Sequence, residues 1–117
     1  MITDKKILVI GSGVSGVGAV ELLEQAGASP VLYDSNGKLR EEEVRSRLPE
    51  GSRARIILGA LPEEVERETE LAVLSPGVPV DLPLVEKLRK NGAKIWGEVE
   101  LAWHFGKGRV AAITGTN

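Results

Sequence analysis

Six consecutive residues near the start of the chain, Gly11-Ser12-Gly13-Val14-Ser15-Gly16, have the spacing G-x-G-x-x-G. The apolar run Ile7 to Ile10 precedes them, and apolar residues at helical spacing follow. Between a strand and a helix, such glycines allow a sharp bend, close approach of a phosphate to the backbone, and close helix packing. The amides at the helix start bind a diphosphate, aided by the helix dipole. The sequence therefore predicts a strand, loop and helix that bind a nucleotide.

The residues around this loop carry little charge of their own. No Lys or Arg lies between Gly11 and Val20. We therefore expect backbone amides, together with the hydroxyls of Ser12 and Ser15, to contact the phosphates.

Asp34 lies eighteen positions after Gly16, at the end of a second apolar run. An acidic residue about 20 positions beyond such glycines binds a ribose hydroxyl in dinucleotide sites. The same carboxylate could instead bond the backbone of the turn Ser35-Asn36-Gly37. The glycine pattern and Asp34 fit NAD as well as any other diphosphonucleotide, so these residues leave the ligand open.

Short apolar runs alternate with segments of helical periodicity along the chain. The runs are Lys6–Ile10, Val31–Tyr33, Arg55–Leu58, Leu71–Leu74, Lys94–Trp96 and Val110–Ile113. Because they are continuously apolar, they indicate parallel strands buried on both faces. Helices are expected around Val17–Ala26, Leu39–Leu48, Pro62–Thr69, Leu84–Leu88 and Glu98–Phe105. Right-handed crossovers then give an α/β fold, a Rossmann-like doubly wound parallel sheet of five strands in the order 3-2-1-4-5.

A domain boundary is expected at Gly106-Lys107-Gly108, because two glycines around a lysine are expected to form a flexible linker. We assign residues 1–105 to the nucleotide-binding domain, and residues 106–117 to a linker and the first strand of another domain. Arg109–Asn117, which includes the apolar run Val110–Ile113, is therefore expected not to join the sheet formed by the rest of the chain. Asp81 is the expected N-cap of the fourth helix.

Composition excludes several classes of protein. The 117 residues correspond to one domain, and a formal net charge of −2 argues against a nucleic-acid partner. With no cysteine, the chain has neither disulfides nor thiolate metal sites. The apolar run at Ile7 is too short for a signal peptide or a membrane span, so a cytoplasmic location without membrane contact is expected.

Two further motifs bear on the ligand. The fourth strand runs into Ser75-Pro76-Gly77, at the predicted switch point of the sheet. Its prolines stiffen this loop, Gly77 is expected to permit an unusual backbone angle, and Ser75 offers a hydroxyl. A rigid turn without a ligand role is the alternative. The last run leads into Gly115-Thr116-Asn117, which is how a phosphate-binding loop of the G-T-N-G-K-[ST] kind begins.

Taken together, these motifs resemble the N-terminal domain of the Mur ligase family over the whole chain. The matching segments are Gly11–Gly16, Tyr33–Ser35, Leu74–Pro79, Gly97–Leu101 and Ile113–Asn117. Within the family the resemblance is strongest to the D-glutamate-adding member, because L-alanine-adding ligases more often have histidine in place of Asn117.

The resemblance implies a ligase that joins D-glutamate to UDP-N-acetylmuramoyl-L-alanine, driven by ATP with Mg²⁺ through an acyl phosphate. It implies that Val14-Ser15-Gly16 meet the diphosphate, that Asp34 and Ser35 lie by the uridine, and that Ser75-Pro76-Gly77 form the opposite wall. Gly115-Thr116-Asn117 would begin the ATP loop of the next domain. The P-loop lysine and the Mg²⁺ ligands lie beyond the chain, so its residues are expected to bind without catalysing.

The alternative from another class is an NAD-binding module of a dehydrogenase or a nucleotide-sensing regulatory domain; a domain that binds only other proteins also stays open. The full-length ligase is expected to be a monomer, with no catalytic residue and no metal site within this chain. His104 is interpreted as a packing or exposed residue. The run Arg40–Arg47 is interpreted as a solvated helix face with Glu–Arg pairs four residues apart.

Overall fold

The computed structural model of the protein describes residues 5–79 and 81–105. The strands are β1 (Ile7–Ile10), β2 (Val31–Asp34), β3 (Arg55–Leu58), β4 (Leu71–Leu74) and β5 (Lys94–Trp96). The helices are α1 (Val14–Gln25), α2 (Glu41–Arg47), α3 (Glu63–Glu68), α4 (Pro83–Lys90) and α5 (Glu98–Phe105). All strand pairings are parallel, in the order β3-β2-β1-β4-β5. The predicted fold class and strand order are confirmed.

Both faces of the sheet are buried, which explains the continuous apolar runs. Ile7 and Val9 of β1 pack with α1, α2 and α5 on one side. Leu8 and Ile10 pack with α4 on the other side. All four residues of β1 are at most 4% exposed. Because successive strand residues point to opposite faces, a strand covered by helices on both sides has no place for a polar side chain.

Glycines in the left-handed backbone region follow the ends of two helices. Gly27 has a φ of +90° after α1, and Gly92 has a φ of +93° after α4. Glycine adopts this conformation without a steric penalty, so both helices stop where the sequence predicts. The start of α4 differs from the expectation. Its N-cap is Leu82 with Pro83 at the first helical position, so the assignment of Asp81 as N-cap was wrong. The fixed φ of proline sets this helix start without a capping side chain.

The loops that follow β1, β2 and β4 meet at the carboxyl edge of the sheet. Ile10 at the end of β1 pairs with Tyr33 of β2 and with Leu74 of β4. The chain leaves β1 toward β2, whereas β4 lies on the opposite side of β1. This reversal is the topological switch point at which open α/β sheets bind ligands.

Three expectations concern residues outside the described part of the chain. The predicted run Val110–Ile113, the proposed boundary at Gly106 and the motif Gly115-Thr116-Asn117 lie outside the described residues. Within the described part, no helix combines the length and the apolar character needed to cross a bilayer.

Candidate functional site

Two of the three glycines in the loop after β1 are required by the fold itself. Gly11 has a φ of +104°, and a Cβ atom there would lie 2.7 Å from Ser75 Oγ. A Cβ atom on Gly16 would lie 1.8 Å from the carbonyl oxygen of Gly11. Gly11 therefore makes the turn, and Gly16 lets α1 pack against the end of β1, as the sequence predicts.

The middle glycine, Gly13, has no such constraint. A Cβ atom there would meet nothing within 4 Å, and the backbone has a φ of −73° that any residue can adopt. Gly13 is also the N-cap of α1 and is exposed. Open space in front of the backbone is what the close approach of a ligand requires.

The start of α1 presents backbone amides beside this space. Gly13 accepts the first helical hydrogen bond, from the amide of Val17 at 3.0 Å. The amides of Val14, Ser15 and Gly16 precede that bond and belong to the unpaired first turn of the helix. No described side chain caps them, and the side chain of Val14 is 93% exposed. The arrangement can accept an anion on backbone donors.

Asp34 at the end of β2 is bonded to the glycine loop. One carboxylate oxygen, Oδ2, accepts hydrogen bonds from the amide of Ser12 at 3.0 Å and from its hydroxyl at 2.7 Å. The other, Oδ1, accepts from the amide of Asn36 at 2.9 Å. Asp34 therefore stabilises the following turn, the alternative left open by the sequence, and also fixes the loop after β1. The exposed Ser35 lies next to it.

Ser12 is only 2% exposed, and its hydroxyl is directed to Asp34. The sequence predicted a hydroxyl that contacts the phosphates. The structure instead places it behind the loop, as a link between the loop and β2. Ser15 is half-buried at the start of α1.

The carboxyl group of Asp34 is held in its charged form. Partial burial acts to raise its pKa, because desolvation disfavours the carboxylate. The hydrogen bonds from Asn36 and Ser12, together with the nearby guanidinium of Arg47, outweigh this effect and lower the pKa below its ordinary value. A fixed negative charge at the end of β2 is therefore bonded to Ser12, next to the place where an anion would bind.

Hydrogen bonds also connect the end of β2 to Gly59, the residue that follows β3. The hydroxyl of Tyr33 donates to the carbonyl of Gly59 at 2.5 Å, and the amide of Gly59 donates to the carbonyl of Asp34 at 2.8 Å. Burial, followed by the charge of Asp34, raises the pKa of Tyr33, so the phenol stays a hydrogen-bond donor. These bonds hold Asp34 in position.

Ser75 places the loop after β4 directly against the glycine loop. Its hydroxyl donates to the carbonyl of Gly11 at 3.4 Å, and its own carbonyl accepts from the amide of Val78 at 2.9 Å in a tight turn. Pro76 and Gly77 are exposed at the tip of this turn. Gly77 does not have a positive φ, so the expected unusual backbone angle was wrong. The rigidity of this turn comes from Ser75 and the prolines.

One residue of the site was missed by the sequence analysis. The guanidinium of Arg47 donates from Nη1 to the carbonyl of Ser12 at 3.1 Å. The expected pair with Glu43 is present, at 3.6 Å from Nη2. Arg45 has the same kind of pair, with Glu41 at 3.7 Å, and no described contact with the loop. Both arginines follow a glutamate by four residues, so the sequence could not show which of them contacts the glycine loop.

The remaining candidates lie away from this edge or do not form a site. His104 stacks on Trp96 with ring centroids 4.2 Å apart, which agrees with a packing role. Among the residues that the structure describes, no group of three or more potential ligands could hold a metal ion.

A parallel sheet in this order, with a glycine-rich turn at the switch point and an aspartate at the end of β2, defines a Rossmann-type nucleotide-binding domain. The family profile described as "Mur ligase MurD-like, N-terminal domain" matches residues 5–97. The chain belongs to this family, which confirms the resemblance drawn from the sequence.

Named relatives agree with this assignment. UDP-N-acetylmuramoylalanine–D-glutamate ligase of Lachnoclostridium phytofermentans is 51% identical over 113 residues, and that of Lachnospira eligens is 46% identical over 114 residues. Each alignment covers 97% of this chain and 25% of the relative. The chain thus spans about a quarter of the length of these relatives.

A solved structure of a chorismate mutase/shikimate 5-dehydrogenase fusion protein from Clostridium acetobutylicum shares the fold. Its TM-score is 0.54 at 15% identity, and the match covers 86% of this chain and 44% of that one. At this identity the likeness supports the Rossmann-type architecture alone.

Proposed function

We propose that this chain recognises the uridine diphosphate group of UDP-N-acetylmuramoyl-L-alanine for a ligase that adds D-glutamate. The observation that carries the proposal is the open space at Gly13, beside the amides of Val14, Ser15 and Gly16. The family and the printed names of the relatives supply the identity of the nucleotide. The fold alone would serve NAD equally well.

The diphosphate binds to the amides of Val14-Ser15-Gly16, where the dipole of α1 favours negative charge. Asp34 and Ser35 flank the uridine, and Ser75-Pro76-Gly77 form the facing wall. Ser12 acts through Asp34, since its hydroxyl and amide are both engaged there. The loop is thus fixed before the ligand arrives, which lowers the entropy lost on binding.

The reaction itself belongs to the whole protein. We propose that ATP, Mg²⁺ and D-glutamate bind to residues beyond the described part, with Gly115-Thr116-Asn117 at the start of the ATP loop. In this proposal residues 1–105 form the substrate-binding domain and residues 106–117 lead into the next one. The chain by itself binds the nucleotide without hydrolysing ATP, and the whole ligase acts as a cytoplasmic monomer.

A titration with UDP and NAD tests the identity of the ligand. UDP is expected to shift the amide NMR signals of Gly13 to Gly16, Asp34, Ser35 and the Ser75–Gly77 turn. NAD is expected to cause weak shifts or none, since the family and the relatives point to a uridine nucleotide. Tight binding of NAD without a response to UDP would overturn the proposal in favour of a dehydrogenase-type module.

Gly13→Ala tests the open space directly. The methyl group would occupy the path of the phosphate, so we expect the affinity for UDP to fall by roughly 10-fold or more. Because nothing lies within 4 Å of that Cβ, the free energy of unfolding should change by only about 1 kcal/mol or less. NMR titration and urea denaturation give the two quantities. Unchanged UDP affinity in a folded variant would show that the ligand does not approach Gly13.

A further inference from the structure

Arg47, the last residue of α2, lies against the outer side of the glycine loop. Its Nη1 atom donates to the carbonyl of Ser12 at 3.1 Å, one residue before Gly13. Its side chain is 39% exposed, so the guanidinium reaches the loop without being buried by it. An arginine has five N–H donors, and the bond to Ser12 uses one of them.

The guanidinium also borders a cavity that includes Gly13 and Val14 of the glycine loop and continues along α1. This cavity has a volume of about 440 Å³ and is lined by Gly13, Val14, Val17, Gly18, Glu21 and Arg47. Among these lining residues Glu21 is a carboxylate and Arg47 is the cation. The loop supplies no other, since no Lys or Arg lies between Gly11 and Val20.

The electrostatics of the loop call for such a cation. Asp34 is a fixed carboxylate bonded to Ser12, and a diphosphate on the neighbouring amides would place further negative charge close to it. The guanidinium of Arg47, bonded to the carbonyl of Ser12 in this loop, offsets that repulsion. The competing partner of Arg47 is Glu43, at 3.6 Å with a side chain that is 54% exposed, and such surface pairs are weak.

We propose that Arg47 contacts the phosphates of the bound nucleotide and makes the chain prefer a nucleoside diphosphate over the monophosphate and the nucleoside. Planar guanidinium groups form charge-assisted, bidentate hydrogen bonds with phosphate oxygens. This inference rests on the proposed function, because it assigns a residue to the same uridine nucleotide.

NMR titrations of Arg47→Gln and Arg45→Gln with uridine, UMP and UDP test the proposal. Arg45 is the matched control, because it lies on the same helix and pairs with a glutamate four residues earlier. Its guanidinium donates to the carbonyl of Ser52 at 3.4 Å and not to the glycine loop. Arg47→Gln is expected to lower the affinity for UDP on the order of 10-fold, since a charged hydrogen bond to phosphate is lost. The affinity for uridine, which has no phosphate, should be unchanged. Arg45→Gln should leave UDP binding within about 2-fold of the wild type.

Three results would overturn the role of Arg47 alone. Equal losses of UDP and uridine affinity in Arg47→Gln would mean that the residue only supports the shape of the loop. Equal losses of UDP affinity in the two variants, or no loss in either, would mean that Arg47 has no specific contact. A wild-type chain that binds no uridine nucleotide would overturn this inference together with the proposed function.

Discussion

Gly16→Ala is expected to lower the free energy of unfolding by about 3 kcal/mol or more, the upper range for an overpacked interior site. The new Cβ atom would lie 1.8 Å from the carbonyl oxygen of Gly11 and 2.9 Å from its carbonyl carbon. These are backbone atoms, so no side-chain rotation can relieve the contact. Gly11 itself lies between α1 and Ser75, which leaves it little room to move. Urea denaturation followed by circular dichroism measures the loss.

Gly18→Ala is the matched control for this experiment. Gly18 lies two residues further along the same helix, and a Cβ atom there would meet nothing within 4 Å. Because alanine favours the helix interior over glycine, this variant should be more stable than the wild type by about 0.5–1 kcal/mol. A Gly16→Ala protein as stable as Gly18→Ala would show that α1 does not pack on the first strand as described.

Asp34→Ala is expected to destabilise the domain by about 2–3 kcal/mol, because it leaves buried donors without an acceptor. The hydroxyl and amide of Ser12 would lose the carboxylate, and Ser12 is only 2% exposed. The amide of Asn36 would lose its partner as well. Ser12→Ala removes one of these bonds and should cost about 1 kcal/mol. Urea denaturation of both single variants and the double variant gives their coupling free energy, and additive effects would contradict the bonded pair.

The lowered pKa of Asp34 also predicts a dependence on pH. A carboxyl group whose pKa is lower in the folded state stabilises that state fully above its unfolded pKa, here 3.8. That contribution is lost as the pH falls from 3.8 through the folded pKa. The stability advantage of the wild type over Asp34→Asn should therefore shrink on acidification from pH 6 to pH 3. A difference that stays constant over this range would show that Asp34 is not held as a carboxylate.

Strand positions and their order were predictable because burial on both faces dictates the residue types. Leu71–Leu74 and Arg55–Leu58 were assigned with the bounds that the structure has. The helix ends at Gly27 and Gly92 were equally clear, since a positive φ selects glycine regardless of the surroundings. The functions of Gly11 and Gly16 followed from the strand–loop–helix context. Each of these features depends on local sequence or on a general rule of chain topology.

The features that were missed depend on contacts across the fold. Arg47 and Arg45 carry the same pattern of neighbours, and only the placement of the short helix α2 brings one of them to the loop. At seven residues, α2 is about 10 Å long, so the arginine near its end still reaches the carboxyl edge of the sheet. The hydroxyl of Ser12 was also misassigned, because its partner Asp34 is brought to it by the pairing of β1 and β2. Spacing along the chain identifies a loop, but not the direction in which its side chains point.

The contact between Gly11 and Ser75 has a kinetic consequence, because it joins loops that are 64 positions apart. The first two strands pair across a single crossover, whereas β4 pairs with the other side of β1 across all the intervening strands and helices. Closing so long a loop loses more chain entropy, and pairings of this kind form slowly. We therefore expect the turn at Gly11 to be completed late, when β4 docks on β1. A nucleotide bound there stabilises the native chain alone, so it should slow unfolding while leaving the folding rate unchanged.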